Sequence, residues 1–291
     1  YINNKGDIQL QPVFYNSGDF YNGYSFFSDD TEDHLNGYIN EMGEIVIPAK
    51  YNSVSFFSKE GFASIRDTNM MYGIINTSGQ TVVPFTFDGL SPIYDGMAVF
   101  RENGKFGYID LQGNKVIPAQ YSEANYFNEG YAFVATSDHK WGVVDKTGNY
   151  LIAPTYSIDD NYLFFVEGLA PVSINGKWGF INTKGELEID PVFDIAFPFF
   201  EGLASVRIGE LFGFINKAGE FVIEPKYYYA YPFSEGLAAV SNGEYFGFID
   251  RQGKLVIPFQ FSYANDFYGG LCRVSTNDYS INAYINTKGK I

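Results

Sequence analysis

The sequence predicts an all-β chain. Tandem antiparallel β-hairpin or meander units of 34–37 residues are expected to stack in an open, curved, solenoid-like array, with a closed propeller-like ring as the alternative. Three observations carry this prediction. One phrase, "GFIN" followed by two free residues and Gly, returns along the whole chain. Aromatic residues reach 19%, and 31 Gly and 12 Pro punctuate the chain, which is the make-up of short strands cut by tight turns. No window keeps apolar residues at helical spacing for three turns without meeting Gly, Pro or Asn.

The Gly that opens the phrase stands at Gly37, Gly73, Gly107, Gly142, Gly179, Gly213 and Gly247, and Ala283 takes its place in the last copy. Units marked by it run 1–36, 37–72, 73–106, 107–141, 142–178, 179–212, 213–246 and 247–282, with a partial ninth at 283–291, all in one array. A strand unit this small has an apolar face that it cannot cover itself, so neighbouring copies must bury one another.

Each element follows in order. Three places after the marker is always Asn or Asp, and six places after it is always Gly, as in Asn182 and Gly185. This is the chemistry of a three-residue hairpin loop: the Asx side chain bonds back to the turn, and Gly takes the positive-φ position that closes it. One strand therefore precedes Asn182 and another follows Gly185. The second strand is expected to finish at a recurring Pro (Pro48, Pro84, Pro118, Pro154, Pro191, Pro225, Pro258, and Pro12 in the first copy), since Pro marks a strand end or an edge. An aromatic follows, then an "A-x-x-F" segment that is a candidate short fourth strand. An acidic residue and Gly turn the chain into an "LAxV" strand, and an aromatic leads back to the marker. Three strands per unit are firm on this pattern.

At "GKWGFI" and "HKWGVV" the chain resembles the WG-repeat (KWG-repeat) family, with its Trp-Gly entry to a strand, "I-D-x-x-G-x-x-V-I-P" and later "F-x-E-G-L-A-x-V". The resemblance covers essentially the whole chain. Only Trp141 and Trp178 keep the Trp; Asn36, Tyr72, Phe106, Phe212 and Phe246 stand at equivalent places. The resemblance implies a repeat fold and a packing role for this aromatic. It brings no catalytic residues to map.

With 34 acidic and 19 basic residues, a net charge of −15 repels phosphate backbones and anionic lipid, so nucleic acid is excluded as a partner. No apolar run reaches the ~20 residues of a membrane-spanning helix, so no membrane insertion is expected. No basic, apolar leader precedes Tyr1, which reads as a removed targeting region or an excised piece. The composition fits an extracellular or cell-surface setting, although a cytosolic array would look much the same. Cys272 takes the place of a small Ala in "GGLCRV" and reads as a packed thiol.

No catalytic, cofactor or metal set is assigned. Glu60, Asp95, Glu129, Glu167, Glu201 and Glu235 each belong to an acid–Gly turn and are read as acceptors for local backbone, with a cation-binding ring as the minor alternative. "SDDTEDH" (28–34) lacks the spacing of a calcium loop and reads as a solvated hairpin tip. His34 and His139 lie in no nucleophile or metal pattern. Specificity is expected where copies differ: Tyr126, Tyr228, Tyr229, Tyr231, Tyr263 and Tyr268 add rings beyond the common frame. These are the candidate contacts for a protein or glycan partner, against the plainer reading that they cover neighbouring strands. The expected function is a non-enzymatic binding or scaffold module. A polysaccharide hydrolase with paired acids, from different units or near Asp159 and Asp160, and a structural spacer are the alternatives.

Overall fold

The computed structural model describes residues 1, 9–11, 14–156, 164–275 and 282–290. These fall into two compact units, Tyr1–Thr155 and Tyr156–Ile291. The described residues contain strands and no helix, arranged in eight antiparallel sheets, none of them closed into a barrel.

One sheet stands for the rest. Its strands are Tyr229–Ala230, Leu237–Ser241, Phe246–Asp250 and Leu255–Phe261, each hydrogen-bonded to the next in chain order. The candidate fourth strand is therefore real but only two residues long. It recurs as Ser53–Val54, Glu123–Ala124, Ile195–Ala196 and Tyr263–Ala264. Four up-and-down strands form the blade-like unit of repeat β folds. The sheets are out of phase with the marker Gly, because each short first strand comes from the segment just after the Pro-aromatic step of the copy before.

The Asn-x-x-Gly loops form as expected. Asn76 accepts the Gly79 N–H on its carbonyl at 2.9 Å, and its Oδ1 accepts the N–H groups of Ser78 at 3.1 Å and Gln80 at 3.0 Å. Gly79 has φ +76°, the left-handed region that Gly enters without a Cβ penalty.

The recurring Pro does not end its strand. Pro48 lies inside Ile45–Tyr51, Pro225 inside Phe221–Tyr227, and the other described copies repeat this. The register shows why. Phe214 pairs with Ile223 and Phe212 with Tyr227, so two steps on one strand face four on the other. The additional residues around Pro225 form a β-bulge on the last strand of the sheet, where a missing N–H leaves no gap in the ladder. The edge half of the expectation holds, and the strand-end half is overturned.

The bulge also accounts for the marker Gly. A Cβ on Gly213 would sit 2.5 Å from the Ile223 carbonyl oxygen and 2.8 Å from the Pro225 nitrogen, and Gly37 and Gly179 meet the same backbone at 2.4 Å. The Trp-type positions flank this crossing: Trp178 pairs with Phe193 and Phe212 with Tyr227. At Asn36 the ring is replaced by an amide that donates to the Asn52 carbonyl at 3.0 Å.

Among the described residues, five hydrophobic clusters are each shared by two successive sheets. Tyr38, Ile47 and Tyr51 pack with Phe57, Ala63 and Ile65 of the next sheet. Phe214, Ile223 and Tyr227 likewise pack with Ala230, Phe233 and Val240. The "A-x-x-F" ring is the link, lying on an aromatic of the preceding sheet: Tyr38–Phe57 at 4.5 Å, Phe180–Phe199 at 4.8 Å and Phe214–Phe233 at 4.8 Å between centroids. Where that aromatic is Tyr, its hydroxyl donates to backbone beside the incoming ring, Tyr38 to Ser55 at 2.6 Å and Tyr108 to Asn125 at 2.8 Å. Burial pushes both phenols well above the ordinary tyrosine range.

Cys272 occupies the Ala site of the last such cluster, as expected, and its thiol donates to the Asn265 carbonyl at 2.9 Å. Burial pushes its pKa up to about 12, so almost no thiolate exists near neutral pH. Iodoacetamide at pH 8 is expected to leave the folded chain unlabelled and to modify it fully in denaturant. Stoichiometric labelling of the folded chain, read by mass spectrometry, would contradict this.

Candidate functional site

The acid–Gly turns build the first feature. Tyr94 and Met97 exchange backbone hydrogen bonds around Asp95-Gly96, and both turn residues have positive φ, +51° and +76°. This two-residue hairpin suits Asn or Asp followed by Gly. Glu holds the same strained position at Glu129, Glu167, Glu201 and Glu235, with φ of 52–54°.

The compensation comes from the next copy. Asp95 Oδ2 accepts the Gly130 N–H at 2.7 Å, Glu167 that of Gly202, Glu201 that of Gly236, and Glu235 that of Gly270 at 2.9 Å. The expected local acceptors are thus clamps between repeats. In two copies a Lys four places after the marker reinforces the clamp: Lys146 lies 3.0 Å from Asp95, and Lys217 3.2 Å from Glu167.

Glu60 departs from this pattern. Its turn is one residue longer, Lys59-Glu60-Gly61 between Ser58 and Phe62, and Leu111 stands where Lys146 and Lys217 stand in sister copies. Its Oε2 is buried with no hydrogen-bond partner, and so is the Oγ of Ser58, a residue only 5% exposed. Both residues line a cleft of about 370 Å³ in the first unit, together with the rings of Tyr21, Phe56 and Tyr94. That volume falls within the roughly 300–1,000 Å³ range of small-molecule sites.

These rings belong to a ladder. Tyr21 lies 5.2 Å from Phe56, Phe56 5.5 Å from Tyr94, and Tyr94 stacks on Tyr126 at 4.5 Å. Each of four successive copies supplies one ring, alternately just after and just before the residue that ends its "A-x-x-F" segment (Phe20, Phe57, Ile93, Phe127). Burial, then the nearby Tyr126 and Tyr21 phenols, hold the Tyr94 hydroxyl above its ordinary range. Of the sequence candidates, Tyr126 alone lies here, 47% exposed. Tyr21, Phe56 and Tyr94 were missed because each is a single ring rather than part of a Tyr run. Lining the copies up on the buried ring would have exposed the alternation.

The remaining candidates lie in the second unit and do not form one surface. Tyr228 is exposed beside Gly243, while Tyr229 and Tyr231 point to the other side of the strand with rings 4.9 Å apart. Tyr229 packs on Phe212 at 5.3 Å and Tyr231 near Phe246 at 6.0 Å, so these two cover neighbouring strands. Tyr263 is exposed on its short strand, and Tyr268, at an acid–Gly-type turn, is 73% exposed.

His34 stacks on Tyr15 at 3.8 Å, and His139 lies 3.7 Å from Glu123 on an exposed surface. Within "SDDTEDH", Asp29 accepts the Thr31 hydroxyl at 2.7 Å, a local turn contact. No group of three or more metal-ligating side chains occurs among the described residues. Asp159 and Asp160 lie outside them.

The WG-containing repeat family model matches at 1–30, 37–69, 72–106, 106–136, 141–178, 178–211, 212–245 and 246–279. The chain belongs to that family. No curated protein matches this WG-repeat chain significantly. Among solved structures it is similar to a eukaryotic initiation factor, at a TM-score of 0.65 and 12% identity over 97% of this chain and 88% of that one. BamB from Moraxella catarrhalis follows at 0.50 and 10%, over 94% and 99%, and the computationally designed Ika8 protein at 0.50 and 10%, over 92% and 94%. Identities this low speak for fold alone.

Proposed function

We propose that this WG-repeat chain is a non-catalytic binding or scaffold module that presents an acidic, Tyr-rich surface to a protein or glycan partner. The observation that carries the reading is the ladder Tyr21–Phe56–Tyr94–Tyr126: four copies of a repeated frame each spend one half-exposed ring on a single line beside a cleft. Rings with a polar tip give contact area at little entropic cost, which is why Tyr is enriched in recognition surfaces. The carboxylates that could suggest acid–base chemistry are mostly engaged as clamps between repeats. An extracellular or surface setting remains the reading that the composition favours.

Screening the chain against a displayed peptide library and a glycan array is the test. Ligands are expected whose affinity falls about tenfold, ~1.4 kcal/mol, in the Tyr94→Ala/Tyr126→Ala double variant at unchanged thermal stability. Ligands indifferent to that variant, or turnover of a polysaccharide abolished by Asp160→Asn, would overturn the proposal.

A further inference from the structure

Resting on the binding reading above, we infer that the first-unit cleft is a receptor for an arginine side chain of a basic protein segment, with Glu60 and Ser58 as its polar floor. The repeat itself supplies the argument. In sister copies the turn carboxylate is consumed by the next copy's Gly N–H, and twice also by a Lys. At Glu60 the longer turn and Leu111 remove that arrangement, leaving a buried carboxylate oxygen unsatisfied. A buried acceptor of this kind is costly until a donor arrives. Lys59 is a poor resident donor, since its ammonium stays 3.8 Å from the other Glu60 oxygen with its side chain 73% exposed.

The unsatisfied buried chemistry of the cleft is one carboxylate oxygen and one hydroxyl beside aromatic rings. Asn22 already donates its amide to the Phe57 carbonyl at 2.9 Å, and Asp95 is held by Gly130 and Lys146. A sugar stacks on an open ring face. Here Tyr94 and Tyr126 stack on each other, and Phe56 and Tyr94 meet edge to face. A guanidinium brings only donors, five of them in a planar fork that matches a carboxylate. The net charge of −15 steers a basic segment to the surface.

The probe is a fluorescein-labelled nona-arginine peptide, followed by anisotropy at 150 mM NaCl, with unlabelled neutral oligosaccharides as competitors. Glu60→Gln and Ser58→Ala are each expected to weaken binding at least fivefold. Glu41→Gln, the same charge change at an exposed turn of the same unit, is expected to stay within twofold, and all three variants should melt like the parent. Equal losses for Glu60→Gln and Glu41→Gln would reduce the effect to diffuse charge and overturn the inference. So would competition by oligosaccharide, or no peptide binding. If nona-arginine fails while library or array ligands still depend on Tyr94 and Tyr126, only this inference falls; if those ligands fail too, the binding reading falls with it.

Discussion

Gly213→Ala is expected to destabilise the second unit by about 3 kcal/mol, the upper end of typical overpacking costs. The added methyl would lie 2.5 Å from the Ile223 carbonyl oxygen and 2.8 Å from the Pro225 nitrogen. Both belong to backbone, so no side chain can swing aside, and the bulge itself must lift away from the strand Leu211–Ile215. That movement would part Phe212 from Tyr227 and Phe214 from Ile223, the two pairs that flank the crossing. Gly89→Ala is the control: its φ is ordinary and its nearest contact, Arg101 Cβ, is 3.6 Å away. It is expected to be neutral or slightly stabilising, because Ala lowers the entropy of the unfolded chain. Urea unfolding followed by tryptophan-independent far-UV dichroism measures both. Equal midpoints for Gly213→Ala and the parent would refute the bulge as the reason for the marker.

What the sequence disclosed and what it hid divide along the range of the interactions. The Asn-x-x-Gly loops were legible because every bond in them spans four residues or fewer, as at Asn76–Gln80. The Pro was misplaced because its role depends on register between two strands. Only the pairing of Phe212 with Tyr227 across two steps against four reveals the bulge, and no composition rule carries that offset. The same offset hid the reason for the marker Gly.

The carboxylates show an intermediate case. Asp95 and Gly130 lie 35 residues apart, as do Glu201 and Gly236, and that separation matches the repeat period, so a bond between copies was available from arithmetic. Treating each acid–Gly turn as a closed local motif concealed it. At the candidate site the search favoured dense Tyr runs, and the densest, at 227–231, placed Tyr229 and Tyr231 over neighbouring strands. The ladder instead gathers sequence-distant single rings, of which the pattern of variation had marked only Tyr126.

Phe233→Ala is expected to cost about 3–5 kcal/mol, the range for truncating a buried aromatic. Total stabilities are about 5–15 kcal/mol, so the second unit would be left close to unfolding. The ring is 2% exposed, lies 4.8 Å from Phe214, and packs in one cluster with Leu203, Ile223 and Tyr227 behind it and Ala238, Val240 and Ile249 from its own sheet. The distribution of the damage is more informative than its size. If the cluster belongs to both sheets, amide exchange should quicken in Leu211–Ile215 and in Leu237–Ser241 together. If each sheet closed its own core, only the strand nearest the cavity would lose protection. Faster exchange confined to Leu237–Ser241 would therefore contradict the mutual burial of neighbouring copies. A joint loss in both strands would show that a repeat of this length is held by the face it lends to the next.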